Sequence, residues 1–129
     1  MKNCIFIKYY YTINNPGPSI AKMQVKVEDI LEDMFVEHDV EVFLHFINCS
    51  WGAYYSDFVE VEHTFSLTEN MKEKIFKVLR EEITFSDGEY EDEEEAEIFS
   101  DIFNEHSFLK YCIFRKVSKT NFYSYNAKL

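Results

Sequence analysis

The chain has 129 residues and a formal net charge of −11, and 47% of its residues are hydrophobic. This length favours one domain over residues 1–129, and the apolar content excludes a wholly disordered chain. No apolar run reaches the roughly 18 residues of a membrane span, and the excess of acid disfavours direct nucleic-acid binding, which needs Lys and Arg opposite the phosphates.

The acidic residues are concentrated in two base-free stretches. Residues 27–71 contain eleven of the 24 acids and residues 81–109 contain twelve, and neither stretch contains Lys or Arg. A block of single-sign charge is typical of a solvated face or an interaction surface. Three cysteines without a CxxC pair, and the lack of an apolar leader after Met1, predict reduced thiols and a cytoplasmic location.

The first part of the chain predicts a strand and a helix. Residues 3–13 are rich in β-forming residues and end at a loop that contains Pro and Gly. A helix is predicted to begin after Ser19. Its predicted buried face carries apolar residues at helical spacing: Ile20, Met23, Val27, Ile30, Leu31, Met34 and Phe35. A short strand over residues 23–27 is the alternative, but the helix explains more of the apolar positions.

Two strands follow, over residues 40–48 and 54–66. Their short connection predicts that they form an antiparallel hairpin. In the second strand, the alternation of side chains places Val59, Val61 and His63 on one face.

Two helices and two strands are predicted in the second half of the chain. Ser66 and Glu69 have the spacing of a capping box, which predicts that a helix begins there. The same Ser-x-x-Glu signature at residues 86–89 predicts a third helix, which runs to about His106. Two strands, predicted to pair with each other, complete the chain: residues 108–117 and 121–126.

In chain order these elements read β-α-β-β-α-α-β-β. The order is similar to the split β-α-β pattern of ferredoxin-like folds, with an extra helix before the last strands. The predicted class is therefore α+β, with a mostly antiparallel sheet and helices packed on it.

The third predicted helix carries more acid than its position requires. Acids near a helix N-terminus are stabilised by the helix dipole, but like charges three and four residues apart repel each other. Seven of the nine residues from 89 to 97 are acidic. A helix rises about 1.5 Å per residue and DNA carries one charge per about 1.7 Å, so these carboxylates can approach the charge density of a phosphate backbone. The alternative is a solvated helix that serves solubility.

The run Glu89-Tyr90-Glu91-Asp92-Glu93-Glu94-Glu95 resembles acidic stretches in small phage-encoded anti-CRISPR proteins. Some of these proteins mimic DNA and occupy the PAM-reading groove of Cas9. The resemblance implies a stoichiometric inhibitor of a nucleic-acid enzyme, with no catalytic activity of its own.

The predicted function is an acidic inhibitor that occupies the nucleic-acid-binding surface of a basic protein partner. Its predicted contact residues lie in the third helix and in the first acidic stretch: Glu89, Glu91, Asp92, Glu93, Glu94, Glu95, Glu97, Glu28, Asp29, Glu32 and Asp33. No catalytic residue, cofactor or metal ligand is predicted, because the histidines and cysteines lack the spacing of a zinc site.

Two other functions stay open at this point. The first is an immunity protein that neutralises a basic nuclease toxin. The second is a small enzyme without a recognisable motif, whose activity would depend on Cys49 or on a histidine. A homodimer, in which the basic C-terminal residues of one copy neutralise the acidic helix of another, is also left open.

Overall fold

The computed structural model describes residues 2–12, 20–49, 57–83, 109 and 111–119. Within these residues the chain forms four strands, two α-helices and a short 3-10 helix over Val36–His38. Their bounds are β1 (Asn3–Tyr11), α1 (Ile20–Met34), β2 (Val40–Asn48), β3 (Phe58–His63), α2 (Glu69–Glu82) and β4 (Tyr111–Lys116). The predicted α+β class, with helices packed on a sheet, is confirmed.

The four described strands form one mixed sheet in the order β2-β1-β3-β4. β1 and β2 are parallel, β3 and β4 are parallel, and the central pair β1–β3 is antiparallel. Parallel neighbours need a crossover connection, and α1 provides it between β1 and β2. The fold therefore contains two consecutive β-α-β units, placed side by side through β1 and β3.

This topology corrects the predicted hairpin. β2 and β3 follow each other in the chain, but β1 lies between them: Ile5 pairs with Val42 on one side and with His63 on the other. Two of the three described pairings are parallel, so the sheet is mixed and not mostly antiparallel. β1 takes the central position because its run of apolar residues fills both faces of the sheet, which is the pattern of a strand covered on both sides.

The main core lies between one face of the sheet and the two helices. β1 contributes Ile5, Ile7, Tyr9 and Tyr11 to this face, because side chains alternate along a strand. The other buried core residues include three from each helix: Met23, Val27, Leu31, Ile75, Val78 and Leu79. The helical periodicity of both segments is thereby confirmed, except that Met34, predicted on the buried face of α1, is 39% exposed.

The exposure of Val25 decides between the two predictions for residues 23–27. A strand would place Val25 on the same face as Met23 and Val27, which are buried. Val25 is instead 55% exposed, as helical spacing requires. No helix among the described residues is long and apolar enough to cross a membrane.

Helix α2 begins where the capping box predicts, but with a different cap. Thr68, not Ser66, is the N-cap residue, and its hydroxyl accepts a hydrogen bond from the backbone N–H of Met71 at 3.2 Å. The hydroxyl of Ser66 accepts instead from Lys116 Nζ in β4, also at 3.2 Å. The first helical residue is Glu69, three positions after Ser66, so the predicted boundary was close to the observed one.

Several predicted elements lie outside the described residues. These are the third helix, with its acidic run, and the last strand, over residues 121–126. The strand predicted over residues 108–117 is observed as β4, and it pairs with β3.

Candidate functional site

A buried carboxylate, Asp57, lies at one end of the sheet, directly before β3. Its side chain is fully buried. The alternation along β3 places residue 57 on the same face as Val59 and Val61, which belong to the main core. A carboxylate in such a position is costly unless hydrogen bonds replace its water.

The end of β1 supplies these hydrogen bonds. The phenolic hydroxyl of Tyr9 donates to Asp57 Oδ2 at 3.1 Å. Thr12 donates twice to Asp57 Oδ1, from its backbone N–H at 3.2 Å and from its hydroxyl at 3.3 Å. The antiparallel register pairs Tyr9 with Val59, two residues along from Asp57, which brings the two side chains onto neighbouring positions of the same face.

Burial sets the proton affinity of this cluster. Desolvation raises the pKa of Asp57 from its ordinary 3.8 to about 6, although the hydrogen bonds from Tyr9 and Thr12 act in the opposite direction. Among the described residues, no Lys, Arg or His forms an ion pair with Asp57. Burial, the charge of Asp57 and the hydrogen bond to it together raise the pKa of Tyr9, so the phenol stays protonated and remains a donor.

Aromatic side chains of β1 and β2 pack against each other next to Tyr9. The ring of Phe46 in β2 lies 5.5 Å from that of Tyr9 and 6.3 Å from that of Tyr11, measured between centroids. The backbone N–H of Cys49 donates to the carbonyl of Tyr11 at 2.7 Å, which holds the ends of β1 and β2 together. Burial, with a smaller contribution from Cys49, raises the pKa of Tyr11. Tyr9 therefore contacts Asp57 through its hydroxyl and Phe46 through its ring.

This arrangement suits the transfer of protons near neutral pH. A general acid or base works best when its pKa lies close to the working pH, and carboxylates reach that range by burial. Asp57 meets this condition, and Tyr9 is a neutral donor fixed beside it. We define Asp57, Tyr9 and Thr12 as the Asp57 cluster.

A concave region lies between α2 and β4, away from Asp57, with a volume of about 480 Å³. Its lining residues are Glu69, Lys72, Glu73, Phe76, Cys112 and Phe114. The ammonium group of Lys72 lies 5.6 Å from the centroid of the Phe114 ring and 3.2 Å from Glu69 Oε1. Burial raises the pKa of the Cys112 thiol to about 12, so this groove contains no activated thiolate.

The histidines and cysteines do not form a catalytic pair or a metal site within the described residues. No group of three or more potential metal ligands occurs there. His63 is buried, and its Nδ1 contacts the carbonyl of Phe65 at 2.7 Å. His45 lies on the opposite face of the sheet from the Asp57 cluster and packs against Phe6.

The predicted partner-binding acids have different structural settings. Glu32 Oε1 accepts a hydrogen bond from the backbone N–H of Val42 at 3.0 Å, and Glu28 Oε2 accepts from that of Leu44 at 2.9 Å. Both glutamates are half-buried. The other two acids of this group, Asp29 and Asp33, are exposed. The remaining predicted contacts lie outside the described residues: Glu89, Glu91, Asp92, Glu93, Glu94, Glu95 and Glu97.

Sequence analysis did not single out Asp57, although a signal was present. The predicted alternation placed Val59, Val61 and His63 on one face, and residue 57 has the same parity. An acid on an otherwise apolar face of a strand indicates either a hydrogen-bonded structural group or a functional one. Its partner Tyr9 could not be identified in the same way, because the pairing of β1 with β3 depends on contacts that are distant in sequence.

Of three comparisons with known proteins, the one with solved structures gives matches. No family model matches the chain, and no curated protein matches it. Among solved structures, the chain is similar to the crystal structure of a 5-carboxymethyl-2-hydroxymuconate isomerase from Deinococcus radiodurans R1, at 10% identity and a TM-score of 0.43. The match covers 92% of this chain and 84% of that chain.

The predicted function is corrected at this point. Sequence analysis predicted a DNA-mimicking inhibitor without catalytic activity, with an immunity protein and a small enzyme as alternatives, whereas the solved structure reported above is that of an isomerase. In addition, Glu28 and Glu32 direct their carboxylates to the backbone of β2. The inhibitor function is withdrawn. No match bears on the resemblance of residues 89–95 to anti-CRISPR proteins, and it stays a prediction.

Proposed function

We propose that this chain is a small enzyme that moves a proton on its substrate, with Asp57 as the general base and acid. The observation that carries the proposal is the geometry of the Asp57 cluster: a fully buried carboxylate, held by Tyr9 and Thr12, in an apolar environment. The small-enzyme alternative from the sequence analysis depended on Cys49 or on a histidine. In this proposal the reactive group is Asp57.

The roles follow from the hydrogen bonds. Asp57 removes a proton from the substrate and returns it to another position, since its pKa of about 6 lets both forms exist near neutral pH. Tyr9 keeps its proton. Its single O–H donates to Asp57 Oδ2 at rest and turns to the negative charge that develops on the substrate as Asp57 takes up the proton. Thr12 holds the carboxylate in place through Oδ1, which leaves the Oδ2 side to the Tyr9 hydroxyl and the reactant. Asp57 is closed to solvent in this structure, so the reaction requires an opening that leaves the contacts with Tyr9 and Thr12 in place.

A proton-transfer probe tests this proposal without knowledge of the natural substrate. The compound 5-nitrobenzisoxazole opens its ring when a base removes one proton, and a carboxylate in an apolar site accelerates this reaction. We expect the wild-type protein to accelerate ring opening above buffer, with a rate that rises through pH 6. Asp57→Asn should abolish the acceleration, whereas Asp29→Asn, an exposed carboxylate on α1, should leave it unchanged.

The result that would contradict the proposal is equally specific. If Asp57→Asn folds and retains the wild-type rate, the base lies elsewhere. If the wild-type protein does not exceed the rate of buffer at any pH from 5 to 8, Asp57 is a structural group. Circular dichroism of each variant verifies that the fold is retained.

A further inference from the structure

Strand β2 lies at one edge of the described sheet, and its outer edge is covered by side chains of α1. Edge strands expose rows of backbone N–H and C=O groups, which can pair with a strand of another molecule. Here two of these N–H groups, on Val42 and Leu44, donate to carboxylates of α1 at 3.0 and 2.9 Å. The two residues are two apart, so both N–H groups point to the same side of the strand, away from β1.

The spacing of Glu28 and Glu32 matches the spacing of these N–H groups. Four residues of helix advance about 6 Å, and two residues of strand advance about 6.6 Å. The helix and the strand run in opposite directions, because α1 crosses back over the sheet between the parallel strands β1 and β2. The earlier glutamate therefore meets the later strand residue, Leu44, and the later glutamate meets Val42. We call this pair of contacts the edge clasp.

The edge clasp acts on backbone groups and not on a charged partner. Neither glutamate forms an ion pair with Lys or Arg within the described residues. Each carboxylate instead accepts a charge-assisted hydrogen bond from a backbone donor that a neighbouring strand would otherwise use. Asp29 and Asp33, which follow them directly in sequence, are exposed and have no such contact with β2.

We propose that Glu28 and Glu32 close the outer edge of β2 against pairing with the same edge of a second copy of this chain. A second copy is the partner that fits, because two identical edges that meet across a two-fold axis present the same donors and acceptors to each other. The nine residues of β2 give such a pairing enough length to form a continuous ladder. The charge of −11 on each copy also opposes the approach of a second copy, so the edge clasp and the charge both disfavour dimer formation.

The test compares three double variants with the wild-type protein. Glu28→Ala with Glu32→Ala removes both acceptors from the clasp. Asp29→Ala with Asp33→Ala removes the same amount of charge from the same helix and leaves the clasp intact, so it is the matched control. Glu28→Gln with Glu32→Gln removes the charge and keeps an acceptor oxygen at each position.

Sedimentation velocity at 5–200 μM and amide hydrogen exchange are the measurements. We expect the Glu28→Ala/Glu32→Ala variant to self-associate at least tenfold more tightly than the wild-type protein. The Val42 and Leu44 amides should exchange at least tenfold faster in its monomer and regain protection in the dimer. The aspartate double variant should resemble the wild-type protein in both measurements, and the Gln variant should stay closer to the wild-type protein than to the Ala variant.

Three results would overturn the proposal. The first is a folded Ala variant that stays monomeric. The second is equal self-association by the aspartate double variant, which would attribute the effect to charge. The third is a dimer in which Val42 and Leu44 stay unprotected, since pairing would then occur elsewhere. If the Ala double variant fails to fold, the same measurements on Glu28→Ala and on Glu32→Ala decide the question, and unchanged association and exchange in both would overturn it.

Discussion

Tyr9 and Asp57 are 48 positions apart in sequence, yet a hydrogen bond of 3.1 Å joins the hydroxyl of Tyr9 to the carboxylate of Asp57. The bond crosses the junction of the two β-α-β units, since Tyr9 belongs to β1 and Asp57 directly precedes β3. It therefore has two consequences. It fixes how the central strands meet, and it places a donor beside a carboxylate whose proton affinity is raised.

The raised pKa of Asp57 predicts how stability depends on pH. The folded state holds a proton on Asp57 up to about pH 6, and the unfolded state loses it near pH 3.8. Between these values the folded state binds more protons, so the contribution of Asp57 to the free energy of unfolding falls as pH rises and levels off above pH 6. At about 1.4 kcal/mol per pKa unit, the loss is on the order of 2–3 kcal/mol.

Asp57→Asn tests this dependence. The amide stays neutral at every pH, and the Tyr9 hydroxyl can accept from it, so the fold has a way to keep the contact. The difference in unfolding free energy between the variant and the wild-type protein should therefore rise in favour of the variant from pH 4 to pH 7. Urea unfolding at pH 4, 5, 6 and 7 measures it. A difference that stays constant over this range would show that the pKa of Asp57 is not raised in the folded state.

Tyr9→Phe should act on both stability and proton affinity. Removal of the hydroxyl leaves Asp57 Oδ2 without this donor, at a cost of about 1–3 kcal/mol. The hydrogen bond from Tyr9 lowers the pKa of Asp57, so its loss should move that pKa further up. Urea unfolding and a ¹³C carboxyl titration by NMR measure the two effects.

Tyr10→Phe is the matched control for this change. Tyr10 is the next residue of β1, and its hydroxyl donates to Glu60, a half-buried carboxylate, at a longer 3.4 Å. We expect it to cost less than about 0.5 kcal/mol and to leave the pKa of Asp57 in place. Equal effects of the two substitutions would mean that the Tyr9 contact has no special role.

The helices were predictable because their signals are local. The apolar stripe of α1 recurs every three or four residues, which favours a helix over residues 23–27, and the 55% exposure of Val25 confirms it. The faces of β3 follow in the same way from a period of two. That same period places Asp57 on the buried face of its strand from the sequence alone.

The order of the strands was not predictable from these signals. The short connection between β2 and β3 favours a hairpin, but β1 lies between them, and its pairings join residues that are far apart in the chain. The function of Glu28 and Glu32 was hidden for the same reason. Their spacing is visible in the sequence, but the N–H groups that they bind belong to an edge that exists only once β1 and β2 have paired. The acidic stretch over residues 27–71 therefore looked like a charged surface, although Glu28 and Glu32 in it bind the backbone of β2.

Substitutions at the start of α2 test whether Thr68, the observed N-cap, or Ser66, the predicted one, stabilises the helix. Thr68→Ala removes the acceptor of the Met71 N–H and should cost about 0.5–2 kcal/mol. Ser66→Ala alters only the exposed contact with Lys116 and should cost less than about 0.5 kcal/mol. Thr68→Ser keeps the hydroxyl and should stay close to the wild-type protein. Urea unfolding of the three variants checks this order, and a larger loss in Ser66→Ala than in Thr68→Ala would restore Ser66 as the cap.

The thiol of Cys112 should be unreactive in the folded protein. Burial raises its pKa from the ordinary 9.0 to about 12, so only about one molecule in 10⁴ carries the thiolate at pH 8, against about one in eleven for an ordinary cysteine. In a variant with Cys4→Ala and Cys49→Ala, alkylation of Cys112 by iodoacetamide should be roughly a thousandfold slower than in urea. The rate should rise about tenfold per pH unit up to pH 10, because the pKa lies above that range. Mass spectrometry follows the modification, and a rate that levels off near pH 9 would show that the groove between α2 and β4 leaves the thiol in its ordinary state.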